Sequence, residues 1–293
     1  MRSLLFVPAD AEKKLAKAME SGADAVIVDL EDSIAPDRKA EARIAAAEFI
    51  AAVSEWSSRP RLLVRVNGLE TGLTDADLDA VIPARPDAVM LPKAEGGPAV
   101  IHLDAKLAVR EAAAGLSEGH VTVVAIATET AQALFLAGSY QGATRRLAGL
   151  TWGAEDLSVE LGAEANRDAD GRFLDPYRLA RTLCLAAAAA ARVQAIDTVS
   201  IDFRDETRLA RECEEARRDG FTGKMAIHPA QVPVINAVFT PRPEVIARAQ
   251  AIVDAFAAAP GAGVVGIDGV MYDRPHLARA AALLARAKQM GEA

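Results

Sequence analysis

Aromatic residues make up only 4% of this 293-residue chain, within a hydrophobic fraction of 51%. A core of stacked rings is therefore excluded, and Ala, Val, Leu and Ile must fill the interior. Small side chains of that kind suit helices packed closely on a sheet. Cysteine is scarce: Cys184 and Cys213 are the only two, both in helix-like segments and without CxxC spacing. That argues against a zinc site or a disulfide framework and fits a reducing cytoplasm. Basic residues are outnumbered, and the net charge of −8 disfavours nucleic acid as a partner, because such binding depends on basic surface that displaces counterions. An anionic small ligand stays open, since local Arg and Lys can dominate a pocket. Long apolar runs are missing as well. Residues 1–8 are too short for the apolar core of a signal peptide, and residues 183–191 are bounded by Arg181 and Arg192 and cannot span a bilayer. These absences predict a soluble cytoplasmic protein with no membrane partner.

What the chain does have is alternation. Short apolar runs at residues 4–7, 25–30, 62–66, 88–91, 121–127, 150–152, 198–201 and 224–227 read as strands. Helical patterns lie between them, around residues 12–21, 38–54, 75–81, 99–114, 130–138, 176–193, 206–219 and 229–238. Asp175-Pro176 is a good helix start, with Asp as cap and Pro at the first helical position. Eight βα units in series predict an α/β protein with a closed (β/α)8 TIM barrel over residues 1–240. Residues 241–293 then form an extension: a helix, a flexible Pro260-Gly-Ala-Gly263 joint, a hairpin turning at Asp268-Gly269, and a last helix over about residues 275–290. The barrel does not need this appendage, which suits a mobile lid or an oligomer arm.

The residues after the strands turn a fold into a site, because barrel chemistry sits at the C-terminal ends of the strands. Glu129 follows the fifth apolar run and Asp156 the sixth. Two converging carboxylates suit a hard cation such as Mg²⁺, although either residue alone would also serve as a helix cap. The second strand ends in Asp29-Leu-Glu31-Asp32-Ser33, the third contains Arg65-Val-Asn67, and the fourth leads to Pro92-Lys93. Asp202 follows the seventh run and His228-Pro229 the eighth. Arg65 lies inside an apolar strand, where a charge is costly unless paired. Its bidentate fork suits a substrate carboxylate, and Asp29, Glu31 or Asp32 offer the alternative of an internal ion pair. Lys93 is read first as a balance for the acidic cluster rather than a Schiff-base lysine, which would need desolvation. His228 is read as structural ahead of general base, and Asp268 as a turn residue. Asp273, before Arg274-Pro275, is either a helix cap or, on a closing lid, a proton donor.

Taken together, Arg2-Ser-Leu-Leu-Phe-Val-Pro8, Asp29-Leu-Glu-Asp-Ser33, Arg65-Val-Asn67, Leu91-Pro-Lys93, Glu129-Thr130, Gly153-Ala-Glu-Asp156, Ile227-His-Pro229 and Asp268-Gly-x-Met-x-Asp273-x-Pro275 resemble the citrate lyase β-subunit-like family of the HpcH/HpaI aldolase superfamily. The match runs in order through nearly the whole chain. The resemblance implies that Glu129 and Asp156 hold Mg²⁺, or Mn²⁺ in its place. It implies that Arg65 binds the carboxylate of a 2-oxo acid such as oxaloacetate, glyoxylate or pyruvate. Gly153, Ala154, Glu155 and Asp156 are implied as substrate contacts, and Asp273 as a proton-exchanging group delivered by a neighbouring subunit's lid in a homotrimer. Lys13 and Lys14 match the family's patch for coenzyme A phosphates. Arg2, Asp29, Glu31, Asp32, Lys93 and His228 are expected to support the site.

The implied reaction is the reversible carbon–carbon cleavage of a CoA thioester of the citryl-CoA, malyl-CoA or citramalyl-CoA type, giving an acyl-CoA and a 2-oxo acid. Three other readings use the same residues: a thioesterase, a free-acid aldolase that needs neither CoA groove nor lid acid, and a non-catalytic subunit that binds an oxo acid. The complete set Arg65, Glu129, Asp156 and Asp273 argues against the last.

Overall fold

The computed structural model describes residues 1–291. Eight strands close into a parallel barrel in chain order: β1 (Ser3–Pro8), β2 (Ala25–Asp29), β3 (Arg61–Arg65), β4 (Ala88–Leu91), β5 (Thr122–Ile126), β6 (Leu147–Thr151), β7 (Gln194–Asp197) and β8 (Gly223–Ala226). β8 pairs back onto β1, with Ser3 opposite Lys224. That closure needs Gly223, because a Cβ there would lie 2.4 Å from the Met1 carbonyl oxygen.

The barrel interior is filled as the composition requires. Leu4, Ala25, Ile27, Leu63, Ala88, Met90, Val124, Ile126, Ile196 and Met225 form one buried cluster. Strand side chains alternate between faces, so the parity of Ile27 and Leu63 carries inward to Asp29 and Arg65. These two are register partners at the ends of β2 and β3. The same alternation turns Asp197 and Lys224, also register partners, out towards the helices.

The surrounding helices are α1 (Glu12–Met19), α2 (Lys39–Val53), α3 (Thr74–Val81), α4 (Gly96–Ala113), α5 (Ala131–Leu136), α6 (Glu155–Glu160), α7 (Asp175–Ala191), α8 (Glu206–Asp219) and α9 (Gln231–Phe239). Small residues let them sit close: α7 buries Ala180, Cys184, Ala187 and Ala188. Both cysteines are free and buried, and burial pushes the Cys213 thiol up to about 12. No described helix is long and apolar enough to cross a membrane.

The seventh strand is a correction. Residues 198–201 read as a strand, yet β7 ends at Asp197. The true strand, Gln-Ala-Ile-Asp, has one β-branched residue and a terminal charge, whereas Thr-Val-Ser-Ile after it has the composition favoured in sheets. The partner for Asp197 is Lys224 on the next strand, which a single-segment reading cannot see.

The chain divides into two compact units, Met1–Asn236 and the residues from Ala237 onward, with the break inside α9. The second unit holds α10 (Pro243–Ala258), an antiparallel hairpin of β9 (Val264–Ile267) and β10 (Val270–Asp273), and α11 (Arg274–Gln289). Asp268 and Gly269 both have positive φ, at 50° and 77°, the signature of the two-residue type I′ turn. Ala249, Ile252, Phe256 and Ala280 form this unit's own core. The Arg248 guanidinium ties the hairpin to α10 through Asp268 at 2.8 Å and the Tyr272 hydroxyl at 2.7 Å.

Candidate active site

A cavity of about 440 Å³ opens at the C-terminal ends of the strands. Its lining includes Asp29, Asp32, Arg65, Glu129 and the run Gly153, Ala154, Glu155 and Asp156. The fold therefore brings the expected carboxylates and Arg65 to one place.

Glu129 and Asp156 do not act as helix caps. The cap of α5 is Thr130, whose hydroxyl accepts the Ala133 N–H at 3.1 Å. The α6 N-terminus has no side-chain cap at all. Glu129 instead turns to the end of the neighbouring strand, β4, and accepts the Lys93 backbone N–H at 2.6 Å. Asp156 lies 3.2 Å from the Lys93 ammonium. Glu129 is 4% exposed. Burial, aided by the charges of Asp156 and Glu31 and opposed by the Lys93 N–H, pushes its carboxyl up to about 8.

Gly153 makes room for this carboxylate. A Cβ at Gly153 would stand 2.8 Å from Glu129 Oε1. The donor set fits a hard divalent cation. Glu129 is buried beside a second carboxylate, its one side-chain hydrogen bond comes from a backbone amide, and a nearby cation would restore its ionised form. Among the described residues there is no group of three or more His, Cys, Asp or Glu placed to hold a metal. Mg²⁺ characteristically takes one or two protein carboxylates and fills its shell with water and substrate oxygens.

Arg65 shows the internal pairing. Its Nε and Nη2 form a bidentate pair with Asp29, both at 2.7 Å, while Nη1 meets Glu31 at 2.7 Å and Asp32 at 3.5 Å. The guanidinium also sits 4.9 Å from the centre of the Phe6 ring. Burial opposes its charge, but Asp29 outweighs burial and raises the group further above its ordinary value. The fork is thus spent on Asp29 and Nη1 on Glu31, and Arg65 lines the cavity with its charge already paired. Asp29 does double duty, because it also accepts the Glu31 N–H at 2.9 Å and the Ser33 N–H at 3.2 Å and so fixes the loop after β2.

Lys93 sits at φ 50° and is clamped by Glu31, with Asp156 and, at 4.0 Å, Asp32 beyond. Burial opposes its charge, yet Glu31 raises the ammonium above the ordinary lysine value. A group held charged in this way is unsuited to Schiff-base chemistry. Its contacts with Glu31 and Asp156 balance the acidic cluster.

Two expected positions, Arg2 and Asp202, lie away from the cavity. Arg2 is a correction: it forks onto Asp24 at 2.8 and 3.1 Å, just before β1 and β2 begin, so it braces the N-terminal rim. Asp202 is another. It is exposed and accepts the Arg204 N–H at 3.2 Å, while Thr198 and Val199 line the mouth in its place. Misplacing the seventh strand hid those two. Lys13 and Lys14 are exposed on α1. His228 stacks on Phe203 with centroids 4.6 Å apart and accepts the Ala230 N–H, a structural setting. Glu155 accepts from Asn166 at 2.9 Å.

Sequence reading also missed Lys39. Its ammonium donates to the carbonyls of Leu30 and Glu31 and to Asn67, all within 2.8 Å, and so ties the loop after β2 to the end of β3. A lysine in a helical first turn carries no signal of that role.

In the second unit Asp273 caps α11. Its carboxylate accepts the His276 N–H at 3.3 Å and pairs with the His276 ring in a capping box. The hydrogen bond from His276 lowers its carboxyl below the ordinary range.

A closed parallel barrel with acidic and cationic groups converging at its C-terminal mouth has the layout of a TIM-barrel active site. Comparison with known proteins makes the assignment specific. The model of the HpcH/HpaI aldolase/citrate lyase family matches residues 2–229, and that of a TIM-barrel C–C bond lyase matches residues 177–291. The chain belongs to the HpcH/HpaI aldolase/citrate lyase family. It is 37% identical to a (3S)-malyl-CoA thioesterase of Cereibacter sphaeroides, over 98% of this chain and 94% of that protein. It is 32% identical to the mitochondrial citramalyl-CoA lyase of Rattus norvegicus, over 99% and 87%. The crystal structure of CitE from Mycobacterium tuberculosis, in complex with magnesium, acetoacetate and coenzyme A, superposes with a TM-score of 0.77 at 34% identity, covering 98% of each chain.

Proposed function

We propose that this protein is a Mg²⁺-dependent CoA-ester lyase that cleaves a thioester of the citryl-CoA, malyl-CoA or citramalyl-CoA type into an acyl-CoA and a 2-oxo acid. The observation that carries this reading is the convergence of Glu129 and Asp156 in a cavity that also presents Arg65. The magnesium and coenzyme A bound by the M. tuberculosis relative support it.

Glu129 and Asp156 would hold the metal. When bound, Mg²⁺ supplies Lewis-acid polarisation of the oxo or hydroxy oxygen of the acid. Arg65, locked in plane by Asp29, would meet the remote carboxylate by exchanging its Nη1 contact with Glu31, and so set the orientation of the acid. Lys93 keeps Glu31 and Asp156 in place from the side, so the clamp does not depend on the substrate for its shape. Asp273 exchanges a proton with the α-carbon of the thioester, supplied by a neighbouring copy in a homotrimer. His276 keeps that carboxylate aligned. Lys13 and Lys14, exposed on the helix that follows β1, meet the phosphates of coenzyme A. Two buried, unpaired cysteines support a reducing cytoplasm as the setting.

A second reading is hydrolysis of the thioester at the same mouth, favoured by the 37% identity to a malyl-CoA thioesterase. One assay separates the two. A panel of malyl-, citramalyl- and citryl-CoA is followed for 2-oxo acid and for free CoA independently. Oxo-acid release without free CoA is the expected result, free CoA with the intact hydroxy acid would assign the thioesterase, and silence with every thioester would overturn both.

A further inference from the structure

Asp197 and Lys224, turned outward by strand alternation, pair at 2.8 Å beneath the helix layer, with the Lys224 side chain 1% exposed. Over them α7, α8 and the loop between α6 and α7 enclose a cavity of about 840 Å³. It shares no lining residue with the cavity at the mouth. Eight cationic side chains face five carboxylates around it, the reverse of the balance in a chain of net charge −8.

The inner cations are crowded. Arg167 and Arg208 share Glu212, at 2.9 and 3.3 Å, and both donate to the Gly171 carbonyl, at 2.7 and 3.0 Å. Gly171, at φ 78°, is needed for this, since a Cβ would come within 3.1 Å of the Arg208 guanidinium. The Arg167 Nε is buried and has no acceptor. Burial and the neighbouring Arg208 pull the Arg167 guanidinium below its ordinary value despite Glu212. An anion in the cavity would offset the crowded positive charge of this pair.

The rim adds more positive charge. Arg172 on the loop, Arg178 on α7 and Arg211 on α8 are exposed at the cavity, and none of the three side chains makes a hydrogen bond or ion pair within the described residues. The carboxylates likewise left over there are Asp170 and Glu215, so the uncommitted charge is net positive. Guanidinium groups converging from three segments suit the multiple oxygens of phosphate groups. The volume suits a small ligand, for which pockets of roughly 300–1,000 Å³ are usual.

We propose that this flank cavity binds a small phosphate-bearing polyanion, either an oligophosphate or the phosphate arm of a nucleotide, through Arg172, Arg178 and Arg211 at the rim, with Arg167 and Arg208 behind them adding positive charge. The site is independent of the reading of the barrel mouth.

The test is calorimetric titration of inorganic tripolyphosphate at low ionic strength, where charge pairing is least screened. The probe is added to the wild-type chain, to Arg172→Ala/Arg178→Ala/Arg211→Ala, and to Lys13→Ala/Lys14→Ala as a control for the mouth. The three arginines are exposed, so an unchanged thermal midpoint is expected and is measured alongside. Saturable wild-type binding that weakens on the order of tenfold or more in the arginine variant, and persists in the lysine variant, supports the site. No saturable binding, equal binding by the arginine variant, or loss in the lysine variant overturns it. A nucleoside triphosphate in a parallel titration separates the sources. Tighter binding than tripolyphosphate assigns a nucleotide, and equal or weaker binding assigns the phosphate groups alone.

Discussion

The two cavities of the barrel unit are opposites in charge. The mouth is lined by five carboxylates and one guanidinium, while the flank is lined by eight cations and five carboxylates. At the mouth the cations are fully engaged: Arg65 is spent on Asp29 and Glu31, and Lys93 is shared between Glu31 and Asp156. The charge still missing there is positive, which is what a metal provides. On the flank Asp197, Glu212 and Asp219 are engaged, while Arg172, Arg178 and Arg211 outnumber the unengaged Asp170 and Glu215, and the charge still missing is negative. One barrel therefore presents a cation-seeking end and an anion-seeking side, and each can be broken separately.

The largest effect is expected from Asp273 of the second unit, the proposed proton-exchanging group. Replacing Asp273 with Asn tests the proton-exchange role apart from capping, because Asn caps helices about as well as Asp. The variant should keep its thermal midpoint and its oxo-acid binding while lyase turnover falls on the order of 10²–10⁴-fold, the usual range for a general acid–base group. Unchanged turnover would leave Asp273 as the cap of α11 alone.

On the flank, Lys224→Met should leave Asp197 buried without its ammonium and destabilise the barrel by about 3–5 kcal/mol in denaturant unfolding. The double change Lys224→Met/Asp197→Leu should recover much of that loss, since apolar replacement of a buried pair is often neutral. A double variant no more stable than the single one would point instead to the hydrogen bond from Trp152 to Asp197, at 2.8 Å, as the dominant contact.

Gly153→Ala returns to the mouth with a smaller stability effect. The added methyl meets Glu129 at 2.8 Å, so the carboxylate must swing, at about 1–3 kcal/mol for overpacking. Metal affinity should fall more than stability does, and a titration with Mg²⁺ beside a melt would show it. Equal losses would mean that the glycine matters only for packing.

The smallest effect is at the rim opposite the mouth. Burial opposes ionisation of Asp24 and Asp87, but the hydrogen bonds and charge of Arg2 and Arg59 outweigh it and lower both carboxyls. Their contribution is therefore complete above the unfolded carboxylate value of about 3.9 and fades as pH falls through the lower folded values. Asp24→Asn should flatten the acid limb of the stability curve slightly, and an unchanged limb would discount the Arg2 pair.

How much of this the sequence carried depended on where each signal lay. Strands buried on both faces, such as Val-Ile-Val in β2 and Val-Val-Ala-Ile in β5, announce themselves by β-branched runs. The mouth was legible for a related reason, since barrel chemistry collects at strand ends and Glu129, Asp156 and Arg65 all stand there. β7 was not, because its outward aspartate makes sense only beside Lys224, twenty-seven residues on. The flank cavity was invisible: Arg178 and Arg211 on their helices look like any solvated face until the fold sets α7 beside α8. The partner that Arg65 would choose was left between substrate and Asp29, and the structure shows the Asp29 fork.

The central claim is that the carboxylate excess at the mouth exists to hold a divalent cation that the lyase reaction needs. The most direct measurement is 2-oxo acid release from a malyl- or citramalyl-CoA substrate by metal-stripped protein, titrated with Mg²⁺, for the wild-type chain and Asp156→Ala. The account predicts turnover that rises from near zero and saturates with Mg²⁺ in the wild type, and a loss on the order of a hundredfold or more in Asp156→Ala at every metal concentration. Full activity of the stripped protein, or of Asp156→Ala, would contradict it.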